Sequence, residues 1–494
     1  MLKKIRRILA TLFFTAITLM FLDFTGTLHR WLGWMAKVQF LPAVLAINVV
    51  VIAALVVLTL IFGRIYCSVV CPLGVMQDLV AWLHNRHRRG RYNYSPSLSW
   101  LRYTMLAVMV VAIAAGIGSL MALLAPYSTY GRIATHLLQP LWMLANNLLA
   151  TLAERADSYA FYSVDVWMRT LPTFLIAAAT LVIIGTLAWR NGRTYCNTIC
   201  PVGTVLGFLA RWSLLKVRFV EDKCRNCSKC TKNCKAACID YKNHQVDYSR
   251  CVVCGECVSQ CAFGALKYGI ARNTQPEKTK TEEQGGLSRR SFLLTTALAA
   301  TAVMADEKKT KVDGGLATIE KKTIPERQTP IMPPGALSAA NMARRCTGCQ
   351  LCVSECPNSV LRPSTGLATL MQPVMSYERG YCRPECHRCA EVCPAGAIQP
   401  ITLEEKASTQ IGHAVWVKKN CLPLTDGVEC GNCARHCPAG AIEMVPFNED
   451  DDESPMIPAV NESRCIGCGA CEHLCPARPF SAIIVEGHEV HRKI

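Results

Sequence analysis

Residues 224–234 read Cys224-Arg225-Asn226-Cys227-Ser228-Lys229-Cys230-Thr231-Lys232-Asn233-Cys234. In this C-x-x-C-x-x-C-x-x-x-C run three thiols lie close enough to wrap one inorganic cube, while the fourth, a helical turn later, reaches a neighbouring cube. The chain has 494 residues and 29 cysteines, and five more runs of four follow the same plan. They are Cys251, Cys254, Cys257, Cys261; Cys346, Cys349, Cys352, Cys356; Cys382, Cys386, Cys389, Cys393; Cys421, Cys430, Cys433, Cys437; and Cys465, Cys468, Cys471, Cys475. Runs four and five are stretched at the front, and the others are regular. Cys67 and Cys71, like Cys196 and Cys200, form a C-x-x-x-C-P pair, which leaves only Cys238 unassigned. Six runs predict six [4Fe–4S] clusters, bound in pairs, in a chain that carries electrons. Zinc sites space their C-x-x-C pairs more widely and usually close with histidine. A disulfide framework belongs to small secreted domains and does not crowd cysteines this regularly.

The formal charge is +17 with 51% hydrophobic residues. Nucleic acid is excluded as a partner, because no aromatic-rich basic module is present. The basic residues instead flank apolar stretches: Lys3, Lys4, Arg6 and Arg7 before the first, and Arg86, His87, Arg88, Arg89 and Arg91 between the second and third. That is the positive-inside pattern of a membrane protein. Four stretches, about 5–22, 41–62, 101–124 and 171–189, approach the ~20 residues needed to span a bilayer. The pattern places residues 63–100 and 190–270 in the cytoplasm, and 23–40 and 125–170 outside.

Residues 271–287 are polar and charged, with the composition of a disordered linker. Ser288-Arg289-Arg290-Ser291-Phe292-Leu293-Leu294 then opens a short apolar stretch ending at Ala305. Paired arginines before such a stretch match the twin-arginine export signal; the alternative is a basic flank on a fifth, anchoring helix. Export in folded form suits a unit that must receive its iron before it meets an oxidising compartment. Residues 306–341, Pro-rich toward their end, read as a second tether. Glu449 to Glu453 read as a solvated acidic loop.

The fold class is therefore a membrane α-helical protein with four transmembrane helices plus α+β bacterial-type ferredoxin domains. The domains are a four-helix membrane domain at 1–215, a cytoplasmic two-cluster ferredoxin at 216–270, linkers at 271–341 with the signal or anchor at 288–305, and an exported four-cluster ferredoxin at 342–494. The protein is expected in a bacterial inner membrane.

The G-R-x-Y-C-x-x-x-C-P-x-G motif occurs twice, at Gly63–Gly74 and Gly192–Gly203, each time just past an inward-running helix. The membrane part thus reads as two parallel hairpins duplicated about an axis along the membrane normal. Its four thiols, Cys67, Cys71, Cys196 and Cys200, converge on a redox or metal site, form redox disulfides, or pack as small buried hydrophobes; a repeated spacing favours the first two. No C-x-x-C-H haem motif and no dinucleotide fingerprint occurs. His29, His84, His87 and His136 lie at or beyond helix ends, so no histidine pair offers a haem site. Nothing evident would relay electrons straight across the membrane, and quinone is the natural carrier.

Residues 1–270, with four helices, twin C-x-x-x-C-P motifs and a ferredoxin pair, resemble the NapH-like membrane ferredoxins. Residues 288–494 resemble the NapG/MauM group in the twin-arginine signal, the Pro333-Pro334-Gly335-Ala336 lead-in and the stretched C-x8-C-x-x-C-x-x-x-C run. The membrane half is also similar to NosR-like and cytochrome-oxidase-assembly polyferredoxins. The resemblance implies a quinol dehydrogenase component with both partners fused, passing electrons from the quinol pool to a periplasmic reductase or cytochrome. The competing readings are a reductive maturation factor for an exported metalloprotein and a scaffold. Lys235 and Ala262 stand where the family usually has proline after the fourth cysteine, and Cys238 is a rival ligand to Cys234. Cys-Pro-Ala-Gly-Ala-Ile occurs in runs four and five, at 393–398 and 437–442. This favours nested pairing of run four with five and three with six, as the family implies. The small residues there let backbone N–H groups approach the cluster sulfurs.

Overall fold

A computed structural model describes residues 2–88, 92–270, 320–448, 450–451 and 453–494. Arg89, Arg91, the 271–287 linker, the twin-arginine segment through Ala305, and Glu449 and Asp452 lie outside the described residues.

The longer helices of the N-terminal unit are α1 (Leu2–Leu22), α2 (Val49–Phe62), α3 (Pro72–Arg88), α4 (Ser99–Ala115), α5 (Gly118–Leu124), α6 (Pro126–Ile133), α7 (Gln139–Arg155), α8 (Leu171–Asn191) and α9 (Pro201–Leu209). Among the described residues two helices are long and apolar enough to cross a membrane, Lys3–Leu22 within α1 and all of α8. The expected spans at 41–62 and 101–124 are both interrupted. A short helix, Phe40–Leu45, ends before Asn48, whose side chain accepts the Val51 N–H and starts α2 afresh. Gly116 adopts the left-handed conformation (φ 70°) and ends α4. At 14 and 17 residues, α2 and α4 are apolar but fall short of the ~20 residues a straight span needs. Ile8, Leu12, Val50, Val57, Val110, Val111, Val182 and Ile183 are all exposed. Large aliphatic side chains left exposed on α1, α2, α4 and α8 suit a membrane protein. The segment read as an outside loop is largely helical, α6 continuing into α7 through a π turn at Ala134–Leu138. His136 sits buried in that turn, not at a helix end.

The ferredoxin units repeat one plan. In the first, β1 (Leu215–Phe219) pairs antiparallel with β4 (Leu266–Ile270), and the small hairpin β2 (Ile239–Asp240) and β3 (Gln245–Val246) separates the two cysteine runs. The C-terminal unit holds a hairpin of β5 (Leu361–Pro363) and β6 (Pro373–Met375) between runs three and four. It then repeats the full plan: β7 (Thr409–Trp416) pairs with β10 (Ile483–Lys493), and β8 (Ile442–Pro446) with β9 (Met456–Val460) lies between runs five and six. The supposed tether at 306–341 is part of this unit from residue 320 onward. Thr329 accepts from the Gly487 N–H, Arg327 donates to the Val485 carbonyl at 2.8 Å, and Ile331, Met332 and Ala336 are fully buried. The unit therefore begins well before 342.

The two ferredoxin units cap opposite ends of the same helices. At one end of α1, Lys3 and Arg7 pair with Glu256 at 2.5 and 2.7 Å; past the other, Arg388 donates to the Thr25 carbonyl at 3.0 Å. On α4, Arg102 donates to Ser249 Oγ at 2.9 Å, while past its far end a Cβ at Gly118 would strike Gln372. Beyond the last turn of α8, the Arg193 N–H bonds the Lys235 carbonyl. Ahead of its first turn, the loop carrying Asp165 and Trp167 meets Arg379 and Arg362.

Candidate metal centres

The four regular runs share one backbone path. In each, the residue before the second cysteine and the residue after it are left-handed: Asn226 and Ser228, Val253 and Gly255, Gly348 and Gln350, Gly467 and Gly469. A β-branched residue such as Val253 at φ 50° is strained, and the strain turns three successive thiols toward one point. A short helix follows, Lys229–Lys232 in run one and Ala470–Leu474 in run six, and carries the chain to the fourth cysteine. In the stretched runs the residues after Cys386 and Cys430 are not left-handed: His387 has φ −128° and Gly431 φ −143°.

Each of five cavities is lined by four cysteines or more. Cys224, Cys227 and Cys230 share one with Cys261, and Cys251, Cys254 and Cys257 share another with Cys234 and Cys238. Cys382, Cys386 and Cys389 meet Cys356; Cys421, Cys430 and Cys433 meet Cys475; and Cys465, Cys468 and Cys471 meet Cys437. The sixth group, Cys346, Cys349 and Cys352, lies within electrostatic reach of Cys393. Three thiols from one run and the fourth from its partner is the donor set a [4Fe–4S] cube requires, so the residues present fit six cubes. Backbone N–H groups also point at the sulfurs: Ala265 to Cys261 at 3.3 Å, Ala441 to Cys437 at 3.2 Å, Ala482 to Cys475 at 3.3 Å and Ile398 to Cys393 at 3.4 Å. Such bonds stabilise the anionic sulfurs.

The nested pairing is corrected. Run three pairs with four and five with six, because each short hairpin folds one run back on the next. The shared Cys-Pro-Ala-Gly-Ala-Ile reflects a common turn past the fourth cysteine, not shared partnership. Cys238 is buried with its sulfur 3.6 Å from that of Cys234, so the cavity of run two holds two contenders for one ligand position.

The twin motifs build a separate site. Cys67, Cys71, Cys196 and Cys200 are all buried, and every pair among them is within electrostatic reach. Each repeat's arginine crosses to the other. Arg64 donates to the Cys196 carbonyl at 3.1 Å, and Arg193 donates to the Cys67 carbonyl at 2.6 Å. Glycine is required opposite those carbonyls: a Cβ at Gly74 would collide with Cys67 O, and one at Gly203 with Cys196 O. Three donors reach the sulfurs, Gln77 Nε2 to Cys196 at 3.3 Å, the Gly203 N–H to Cys200 at 3.4 Å and Arg64 Nη2 to Cys67 at 3.8 Å.

The repeats differ in charge balance. Arg193 pairs with Asp78 at 2.6 Å, and Arg6 and Lys235 reach the same carboxylate at 2.8 and 2.7 Å. Burial pushes the Asp78 carboxyl up, but Arg193, Lys235 and Arg6 outweigh it and hold the group well below the usual carboxylate range. Arg64 is fully buried and bonds only to Asn197 Oδ1, two carbonyls and a thiol. In the sequence both arginines are only repeated letters of the motif, and the one signal for Asp78 is scarcity: Asp23 and Asp78 are the only acidic residues among the first 153.

Comparisons agree with this geometry. A model described as a 4Fe-4S binding domain matches residues 44–91 and 170–219, one for each C-x-x-x-C-P motif. Models described as 4Fe-4S dicluster domains match 428–478 and 247–360. YccM of Escherichia coli is 27% identical over 221 residues, 45% of this chain and 55% of that protein. The chain therefore spans about half the length of that relative. The ferredoxin-type protein NapH of Escherichia coli is 28% identical over 231 residues, 45% of this chain and 67% of that protein. The methylamine utilization ferredoxin-type protein MauM of Methylobacillus flagellatus is 31% identical over 167 residues, 33% of this chain and 70% of that protein. Cysteine-lined cavities in ferredoxin-type units, carried beside an apolar helical unit, mark an iron–sulfur electron-transfer protein, a polyferredoxin similar to NapH and MauN. Within that class, the chain belongs to the family of ferredoxin-type proteins represented by MauM.

Proposed function

We propose that the chain is the electron-transfer component of a quinol dehydrogenase, taking electrons from the quinol pool and passing them to a periplasmic reductase or cytochrome. In this reading α1, α2, α4 and α8 cross the inner membrane, residues 216–270 face the cytoplasm, and the C-terminal unit is exported through the twin-arginine segment. The 24 run cysteines hold six cubes, which supply one-electron storage and transfer, and Cys67, Cys71, Cys196 and Cys200 form an additional redox or metal site. The observation that supports it most is the placement of one ferredoxin unit at each end of α1 and α4.

The test is iron analysis and quinol titration of anaerobically purified protein. At least about 24 irons per chain, with cluster absorbance bleached by a reduced quinone analogue, is the expected result. Iron near eight with zinc in the remainder would overturn the cluster count. Full clusters that do not respond to quinol would turn the function toward the maturation of a client protein.

A further inference from the structure

Five thiols line the cavity of run two, those of Cys251, Cys254, Cys257, Cys234 and Cys238, and a cube takes four. Backbone geometry identifies the extra one. Cys238 stands four residues past Cys234, and its N–H donates to the Cys234 sulfur. The same bond recurs at two other fourth cysteines, from Ala265 to Cys261 at 3.3 Å and from Ala441 to Cys437 at 3.2 Å. Cys234 therefore occupies the ligand position, and Cys238 the position of Ala265 and Ala441. All three are buried, and Ala265, like Cys238, lines the cavity beside its fourth cysteine. At the same place the remaining runs carry Val360, Ala397 and Pro479. Only the turn past Cys234 puts a sulfur there.

The fold holds that sulfur against the ligands. Cys238 leads into β2. Asp247, just past β3, donates its N–H to the Cys238 carbonyl at 2.8 Å and accepts the Cys251 N–H at 3.0 Å. One residue of the hairpin thus sets Cys238 beside Cys251. The Cys238 sulfur lies 3.6 Å from that of Cys234 and also makes a hydrogen bond with that of Cys251. It therefore touches the sulfurs of two corners of the cube, one supplied by each run.

A free thiol in this place has two uses. Its S–H group, donating to ligand sulfurs, stabilises the extra negative charge of the reduced cube and raises the reduction potential. Its sulfur is also near enough to take the place of Cys234 on iron.

We propose that Cys238 is a non-ligating fifth thiol of the run-two cube, which donates to Cys234 and Cys251 and stands as a reserve ligand for Cys234. The exchange balances: the Cys234–iron bond breaks, a Cys238–iron bond forms, and the proton passes from Cys238 to Cys234, with no change of oxidation state. This rests on the reading of run two as a cube and goes beyond it, because it gives a role to the one cysteine outside the six runs and the twin motifs. The raised potential also has a direction. Run one opens to solvent at Cys227. The loops around run two instead meet the helical unit, where Arg64 donates to the Ser249 carbonyl at 2.9 Å and Asn197 to the Ala236 carbonyl at 3.1 Å. The thiol favours the electron on the cube nearer the helices.

The test uses the full chain purified anaerobically, read by iron analysis, low-temperature EPR and redox titration. Cys238→Ala should keep all its iron and the wild-type line shape of every centre, while the midpoint potential of one cube falls. Cys238→Ser, which retains a donor, should fall less. Folding should be preserved, since alanine is the residue at 265 and 441. Cys234→Ala should keep its cube with altered g-values, because Cys238 binds in its place, and the double variant Cys234→Ala with Cys238→Ala should lose it. Cys261→Ala, which has only Ala265 beside it, should lose iron from run one, and adding Ala265→Cys should restore that iron. Iron loss in Cys238→Ala, or altered g-values there with unchanged ones in Cys234→Ala, would make Cys238 the native ligand and overturn the inference. Loss of the cube in Cys234→Ala alone overturns the reserve role, and an unchanged potential in Cys238→Ala overturns the donor role. Wild-type protein without iron in the first ferredoxin unit would instead overturn the cube reading itself.

Discussion

Asp78 ties three parts of the chain together. Its oxygens meet Arg6 of α1, Arg193 of the second motif and Lys235 of the first ferredoxin unit, all within 2.8 Å. Asp78→Asn leaves those cations around a neutral amide, and breaking a buried ion network on one side costs about 3–5 kcal/mol. The expected outcome is a clearly lower Tm in detergent and faster proteolysis of residues 216–270, with Asp78→Glu retaining most of the stability. Equal Tm for Asp78→Asn and wild type would mean the network contributes nothing net. Residues of this kind explain what sequence reading catches and what it misses. The cysteine runs are legible because cluster chemistry fixes their spacing. Arg64 and Arg193 were visible as repeated letters, but their roles come from crossing between repeats some 130 positions apart, and no local pattern encodes that.

At the scale of elements, existence was legible and continuity was not. Hydropathy placed apolar helices at all four expected positions, yet one asparagine cap and one left-handed glycine divided two of them. Cluster pairing went the same way. Similar sequence at runs four and five favoured one partnership, whereas the β5–β6 and β8–β9 hairpins bring consecutive runs together. The two arrangements predict different damage. Cys475→Ser should impair the cube of Cys421, Cys430 and Cys433, and Cys393→Ser that of Cys346, Cys349 and Cys352. Mixed-spin EPR of single and double variants reads this directly. Under consecutive pairing, Cys475→Ser and Cys437→Ser strike both cubes of one pair and leave runs three and four intact. Loss of signal from run three in Cys475→Ser would restore the nested arrangement.

For the whole molecule, the decisive relation is between the twin-arginine segment and the docking face of the C-terminal unit. That unit meets the far end of the helices through Arg388 at Thr25, the Arg379–Asp165 ion pair, Trp167 held beneath Arg362 and Arg379, and the His136–Gln350 hydrogen bond. The near end, where Lys3 and Arg7 grip Glu256, belongs to the other unit. Chain connectivity alone does not choose an end, since residues 271–319 join the units. If export does the choosing, Arg289→Lys with Arg290→Lys should keep the C-terminal unit on the side of residues 216–270 and out of reach of its dock. A cysteine pair at the interface, Asp165→Cys with Arg379→Cys, reports on this. In the exported protein the pair should cross-link under mild oxidation, and protease added to spheroplasts should cut the C-terminal unit. In the lysine variant the cross-link should be absent and the unit protected. A cross-link that persists in the lysine variant would mean the unit reaches its dock without the paired arginines, and the segment at 288–305 would then be an anchoring helix rather than an export signal.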